Sequence, residues 1–245
     1  MDEDQNIKLP TLRRILMAGA PVTGSLLQRF EKILEPGGKI FTPYGATEAL
    51  PVASIERRTI LNVTWSQTEQ GKGLCVGKPV TGIKIKIIEL TDKPIAEWSE
   101  KLELTTGEIG EIVVQGPWVT KVYFNKERAT ALAKIQEGAR FWHRMGDVGY
   151  LDQENRFWFC GRKGHRVITQ ERTLFTVPCE AIINNHPAVY RSALVGIGDA
   201  GNQRPVLVVE TWPEHRPRTT QDEQALLEQL RQQAAEHALT RSVRD

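Results

Sequence analysis

Four side-chain types recur in a fixed order along the sequence. Tyr44, Thr47 and Glu48 stand in Tyr44-Gly45-Ala46-Thr47-Glu48, Asp147 in Met145-Gly146-Asp147, and Arg162 in Gly161-Arg162-Lys163-Gly164-His165-Arg166. An aromatic ring presents a π face to a base. A threonine hydroxyl can reach a phosphate oxygen, and a glutamate supplies hard oxygen to magnesium. A carboxylate such as Asp147 can accept hydrogen bonds from two vicinal hydroxyls, as on a ribose. The arginine charge suits a ribose and an α-phosphate, and Gly45 allows a tight turn with close backbone approach by a ligand. Each motif alone has a plainer reading. The first could be a strand ending in a polar turn, Asp147 a hairpin aspartate bonded to nearby backbone, and Arg162 a surface arginine in a basic turn. Taken in order, the four types could stack a base, hold phosphate and magnesium, and grip a ribose.

Other chemistries find no pattern in the sequence. Residues 71–78 (GKGLCVGK) miss the spacing of a phosphate-binding P-loop, and Pro79 follows Lys78 where a helix should open. His143, His165, His186, His215 and His237 show no metal-ligand spacing, although His143 could line a pocket just before Met145-Gly146-Asp147. There is no GxSxG elbow and no cysteine–histidine dyad. Cys75, Cys160 and Cys179 lack CxxC spacing, which argues against a disulfide framework or a structural zinc. Cys160, inside Phe157-Trp158-Phe159-Cys160, reads as a small buried residue.

Positioning these groups requires a scaffold, and the hydrophobic pattern supplies one. Ile15-Leu16-Met17-Ala18 reads as a buried strand running into Gly19-Ala20-Pro21. Thr23 can cap a following helix in which Leu26, Leu27, Phe30, Ile33 and Leu34 recur at helical spacing. Pro36-Gly37-Gly38 stops it, and residues 39–44 return as a strand. Strand, helix, strand is an α/β signature that favours a parallel sheet, with ligand groups at the carboxyl ends of strands. The pattern then turns β-rich. Strands are expected at 83–90, 109–115, 140–143, 148–151 and 156–160, with one helix at 126–136 between them. After Gly161 a small α+β lobe follows, with helices near 177–185 and 221–239 and strands at 192–197 and 206–211.

The length fits one large domain or two ordinary ones. The 32 basic and 30 acidic side chains leave a net charge of +2, which gives no electrostatic reason to expect nucleic acid or an anionic membrane as partner. Arg13-Arg14 and Arg57-Arg58 read as solvated surface. Residues 1–5 are acidic and polar rather than a leader, and no apolar run approaches a membrane span, so a cytoplasmic protein is expected.

Gly19-Ala20-Pro21, the Tyr44 to Glu48 motif, Gly77-Lys78-Pro79, Gly107-Glu108-Ile109-Gly110-Glu111, Gly146-Asp147 and Gly161-Arg162 follow the order of the adenylate-forming (AMP-binding) superfamily. The sequence resembles that superfamily over nearly its whole length. Within it, Met145-Gly146-Asp147-Val148-Gly149-Tyr150, the run 157–167 and Pro178-Cys179-Glu180-Ala181-Ile182 are most similar to the β-lactone synthetases of bacterial olefin biosynthesis. The resemblance implies ATP-dependent activation of a carboxylate to an acyl-adenylate. The substrate would be a long-chain β-hydroxy fatty acid whose own hydroxyl closes to a β-lactone, releasing AMP and pyrophosphate. Coenzyme A ligases of the superfamily carry a pattern like GRxKDxIKxxG. Here Gly164 occupies the first lysine position, and Arg172 sits in the stretch where a glycine is expected, which speaks against a thiol tunnel. The alternatives are an acyl-CoA ligase or peptide-synthetase adenylation domain portion, or a non-catalytic nucleotide- or partner-binding fragment.

The resemblance also implies residue roles and an organisation. Gly19, Ala20 and Pro21 would line the adenine pocket, Tyr44 and Gly45 would pack near the base, and Thr47 would contact phosphate. Glu48 would hold Mg2+, Asp147 would bind the ribose with Arg162 assisting, and Lys163 and Gly164 would form a hinge. Thr47, Glu48 and Arg162 would be the catalytic set, with ATP/AMP and Mg2+ as cofactors. Residues 1–160 would be the carboxyl-terminal part of the large AMP-binding domain, with 80–160 its β-rich subdomain. Residues 161–166 would be the hinge and 167–245 a partial small domain. Other enzymes of a hydrocarbon-biosynthesis assembly are the implied partners. The superfamily's phosphate-wrapping Ser/Thr/Gly loop and its late lysine have no counterpart in the sequence. The expectation is therefore an internal portion of a longer enzyme, weakly active or inactive alone, because removing even one positioned donor costs ~10²–10³ in rate.

Overall fold

The computed structural model describes residues 8–243, so the acidic residues 1–5 and the final Arg244 and Asp245 fall outside it. The described chain forms two compact units. Unit 1 comprises the residues up to Trp65, Cys75–Met145 and Tyr150–Trp158, and unit 2 comprises Ser66–Leu74, Gly146–Gly149 and the residues from Phe159 onward.

Unit 1 is a mixed α/β structure that holds most of a nine-stranded sheet, while Leu74, Gly146–Gly149 and residues 159–162 of its strands belong to unit 2. The strands of the sheet are β1 (Arg14–Leu16), β2 (Lys39–Ala46), β3 (Ala49–Glu56), β4 (Leu74–Pro79), β5 (Lys84–Ile88), β6 (Gly110–Gln115), β7 (Lys134–Glu137), β8 (Arg140–Leu151) and β9 (Phe157–Arg162). The order is β1-β2-β3-β4-β9-β8-β6-β5, with β7 paired to β8. Between β1 and β2 lies the helix Gly24–Glu31, whose first turn is closed by Thr23 Oγ1 accepting from the Leu26 N–H at 3.3 Å. The strand–helix–strand reading is confirmed here: β1 pairs parallel with β2, Ile15 opposite Ile40. Leu27, Leu34, Ile40, Ile55, Ile60, Cys75 and Trp158 form the core behind it. Leu16 differs from the expected buried strand, remaining 70% exposed.

Three expectations are corrected. The helix at 126–136 is a shorter helix, Glu127–Ala133, followed by β7. Lys134 to Glu137 leave the helical path to pair antiparallel with β8, which buries Ile135 beside Ile88, Val113 and Trp142. Residues 140–143 and 148–151 are parts of one strand, β8, which passes through Gly146 at φ +68. A side chain at that φ would be strained, so the glycine that reads as a break is what lets the strand continue. Arg57 is not surface: it is 3% exposed, with Nη1 at 2.9 Å from Glu31 Oε1, while its neighbour Arg58 is exposed.

Unit 2 is an α+β structure. The short strands β10 (Val167–Ile168) and β11 (Thr173–Leu174) pair antiparallel, and β12 (Val189–Ile197) pairs antiparallel with β13 (Arg204–Thr211). The helices Thr176–Ile183 and Thr220–Glu236 bury Ile182, Ile183, Leu230 and Ala234 around Val189. The second helix opens with a reciprocal capping box between Thr219 and Asp222, whose side-chain oxygens accept from two of the orphan amide donors. The three cysteines are free and buried. Burial pushes their thiols up, to about 11 for Cys75 and about 12 for Cys160 and Cys179, so none is a ready nucleophile.

Candidate functional site

In unit 1 the Tyr44 to Glu48 motif forms the end of a β-hairpin. β2 runs on to Ala46, which pairs with Ala49, so Thr47 and Glu48 are the two turn residues. The register slips between Tyr44 and Ala46, where β3 carries the extra residues opposite Gly45. A Cβ on Gly45 would collide with the Ala49 carbonyl oxygen and the Leu50 side chain. The hairpin itself therefore requires a glycine at this position. Tyr44 is half-buried, its ring centroid 5.3 Å from that of Phe157 at a 47° tilt, and Thr47 is exposed. Gly19, Ala20 and Pro21 follow β1 as an exposed turn, and Met17 N–H bonds to Phe41 O in the neighbouring strand.

The Glu48 carboxylate is the electrostatic centre of the hairpin. The Tyr123 hydroxyl donates to its Oε1 at 2.7 Å, and the Thr120 N–H donates to the Glu48 carbonyl at 2.8 Å. Trp118 Nε1 donates to Pro51 O at 3.1 Å, so the hairpin and the loop after β6 are joined at three points. The Tyr123 hydrogen bond holds the Glu48 carboxyl below its ordinary range, against the opposing effect of burial. The same burial and bond push Tyr123 up to about 12.

Beneath this loop lies a second layer, of which only His143 stood out in the sequence, as a residue that could line a pocket. Lys134, 5% exposed, donates through Nζ to the Thr120 carbonyl and lies 3.1 Å from His143 Nδ1. The same Nδ1 also lies 3.2 Å from Ala133 O, so this ring nitrogen faces a donor, the ammonium, and an acceptor, the carbonyl. Burial lowers Lys134 to about 8, and burial with the Lys134 charge lowers His143 to about 4. Tyr123 and Lys134 were invisible in the sequence because both contacts depend on the folded sheet; Tyr123 meets Glu48 across 75 residues.

A pH dependence follows from His143. Between its ordinary value of about 6.5 and its folded value of about 4, the unfolded chain binds the proton more tightly. Its contribution is fully present above about pH 6.5 and is lost as the pH falls towards 4, on the order of 2–3 kcal/mol. Melting temperatures measured against pH should fall in this window. The difference curve against His143→Gln, which keeps an acceptor for Lys134, should isolate the loss, whereas parallel curves would contradict it.

In unit 2, Asp147 and Arg162 come together. Asp147 is 3% exposed and lies within β8, and its Oδ1 accepts from Arg162 Nη1 at 2.7 Å. The hairpin role that Asp147 could have filled belongs instead to Asp152 in unit 1. Asp152 accepts from the Glu154 and Arg156 amides, the Arg156 guanidinium and Trp158 Nε1. Arg162 keeps 55% of its side chain exposed, so its remaining donors can reach a ligand. Lys163, Gly164 and His165 form a single tight turn, with Arg166 Nη1 donating to Lys163 O at 2.6 Å. Arg172 donates to Ala238 O, Leu239 O and Ser242 Oγ at 2.7, 3.1 and 2.8 Å, tying the β10–β11 turn to the segment after the last helix.

Residues 2–124 match the AMP-binding enzyme family. The chain belongs to that family. This AMP-binding chain is 49% identical over 215 residues to an olefin β-lactone synthetase of Xanthomonas campestris pv. campestris, covering 86% of the chain and 38% of the relative. It is 47% identical over 232 residues to the olefin β-lactone synthetase of Stenotrophomonas maltophilia, covering 93% of the chain and 41% of the relative. Among solved structures it is similar to o-succinylbenzoate coenzyme A synthetase from Bacillus subtilis in complex with ATP and magnesium ion. That similarity has a TM-score of 0.66 at 26% identity over 93% of the chain and 42% of the solved chain. The AMP-binding chain thus spans about two fifths of the length of the curated relatives it matches.

Whether magnesium suits the residues present can be judged from the hairpin. Among the described residues no three His, Cys, Asp or Glu side chains cluster as a metal cage. Glu48 alone offers a half-exposed carboxylate, kept ionised by Tyr123. Magnesium is ordinarily held by one or two carboxylates with substrate phosphates rather than by an all-protein cage, so a single carboxylate in this state fits.

Proposed function

We propose that this chain is the portion of an ATP-dependent carboxylate-activating enzyme that contributes adenylate-binding groups, acting on a long-chain β-hydroxy acid. The observation that carries this reading is the 47–49% identity to two olefin β-lactone synthetases over most of the chain. In the reaction, a substrate carboxylate oxygen bonds to the α-phosphorus of ATP and pyrophosphate leaves. The β-hydroxyl oxygen then attacks the acyl carbon, loses its proton and expels AMP, closing a β-lactone. An internal nucleophile gains effective molarity and needs no thiol channel.

Each residue has a part in this reading. Tyr44 and Gly45 pack beside the adenine, with Gly19, Ala20 and Pro21 lining that side. Thr47 donates to phosphate, and Glu48 holds Mg2+, which would neutralise phosphate charge when bound. Asp147 accepts the ribose hydroxyls, and Arg162 turns its exposed donors to the α-phosphate. Lys163 and Gly164 serve as the hinge in residues 161–166. The three bonds of Arg172 support lactone closure over thioester formation, because they fix a bulky side chain in the stretch where the coenzyme A ligase pattern has glycine. We place the reaction in the cytoplasm, in company with other hydrocarbon-biosynthesis enzymes. Among the described residues no helix is long and apolar enough to cross a membrane.

Product analysis tests the acceptor. Stoichiometric protein with ATP, Mg2+ and a long-chain β-hydroxy acid should yield lactone and AMP without added thiol. A product that forms only with coenzyme A, as a thioester, would overturn lactone closure. No product at all would leave a nucleotide-binding portion without catalysis.

A further inference from the structure

Glu48 stands at the tip of a two-residue turn, where a carboxylate has rotational freedom and a cation would have to order it on binding. Two features of the fold remove that freedom. The Tyr123 hydroxyl donates to Oε1 at 2.7 Å, fixing one carboxylate oxygen. The Thr120 peptide is held on both sides: its N–H donates to the Glu48 carbonyl at 2.8 Å, and its carbonyl accepts from Lys134 Nζ. Lys134 is itself seated, 5% exposed, against His143 Nδ1, and lies 5.8 Å from the centre of the Tyr123 ring. Tyr123 is fixed in turn by its own N–H, which donates to Thr130 Oγ1 at 3.0 Å. A buried lysine spent on a loop carbonyl is an expensive device for a loop that could have been held by apolar packing. It makes sense where the loop must stay in place under the pull of a cation on the adjacent carboxylate.

We propose that Tyr123 and Lys134 are positioning residues for the magnesium–phosphate part of the site, Tyr123 through the Glu48 carboxylate and Lys134 through the Thr120 peptide. The proposal rests on the assignment of Glu48 to Mg2+. Preorganisation reduces the ordering cost at binding, so its loss appears in the affinity for a metal nucleotide and not in that for a metal-free one.

The test uses the 245-residue chain with Mn2+ as the probe, titrated with ATP and followed by electron paramagnetic resonance. Metal-free AMP binding in the presence of a chelator serves as the comparison. Tyr123→Phe keeps the ring and removes only the hydroxyl. It should weaken Mn2+·ATP binding about 5- to 10-fold, because a hydrogen bond to a charged group is lost at a partly hydrated site, and should leave AMP affinity within about twofold. Lys134→Met should weaken Mn2+·ATP about 3- to 5-fold, and Lys134→Arg should restore it. Glu48→Gln separates the proposal from its premise. If Glu48→Gln loses Mn2+·ATP while Tyr123→Phe binds it like the wild type, the positioning role is wrong and the Glu48 assignment stands. If the wild type shows no metal-dependent binding, or Glu48→Gln matches it, both are wrong. Equal losses of Mn2+·ATP and AMP in Tyr123→Phe would also overturn positioning, since they indicate general disruption.

Discussion

Arg144→Met should destabilise unit 1 by about 3–5 kcal/mol, the cost of stranding a buried charge. Arg144 is 4% exposed and Glu111 1%. The guanidinium donates to Glu111 Oε2 from Nη2 at 2.6 Å and from Nε at 3.2 Å. It also donates to Thr91 O at 2.5 Å, Lys93 O at 2.8 Å and Leu132 O at 3.1 Å. One side chain thus satisfies a buried carboxylate on β6 and three carbonyls, two from residues 91–93 and one from the helix Glu127–Ala133. Methionine fills much of the volume but leaves all four acceptors without this donor. In a chain of this size the loss should lower the melting temperature by roughly 10 °C. The double change Arg144→Met with Glu111→Met should cost less than the single one, because it removes the stranded charge. A single variant melting within 2 °C of the wild type would show that water or rearrangement relieves Glu111. The sequence offers no hint of this pair, since Arg144 stands just before the Met145-Gly146-Asp147 motif and Glu111 falls in the expected strand 109–115, 33 positions away in the sequence.

Asp147→Ala should weaken AMP binding about 10- to 100-fold with little change in stability. A ribose bonded to a carboxylate makes charge-assisted hydrogen bonds of about 1.5–3 kcal/mol each. Losing them removes one to two factors of ten in affinity. Losing the bond to Arg162 costs little stability, because Arg162 is more than half exposed and can be hydrated. Calorimetric titration and thermal melting of the variant measure the two quantities separately. A variant that binds AMP like the wild type would remove Asp147 from the ribose site. One that melts far below it would make the Asp147–Arg162 pair a structural bond first.

Local signals in the sequence were enough to place several elements. The helix Gly24–Glu31 is legible because Thr23 is a cap by type and its apolar residues repeat at helical spacing. β5, with Ile alternating with Lys, is legible because one face is buried and the other wet. The parallel pairing of β1 and β2 follows from the helix between them. What was not legible depends on partners far away in sequence. β7 has a composition that suits a helix, and only its ladder with β8 makes it a strand. The stretch from β3 to β4 carries Pro51 and an irregular helical run between Arg57 and Lys72, which match neither period cleanly. Tyr44, Thr47, Glu48, Asp147 and Arg162 were legible as residue types in order. That Glu48 is a turn residue clamped by Tyr123, and that Asp147 is a strand residue paired with Arg162, required the fold.

The central claim is that this AMP-binding chain carries nucleotide-binding groups of an adenylate-forming site. Isothermal calorimetry of the wild-type chain with AMP, alongside Asp147→Ala, addresses it most directly. The account predicts saturable one-to-one binding by the wild type, weakened about 10- to 100-fold in the variant. No heat from the wild type, or the same affinity in both proteins, would contradict it.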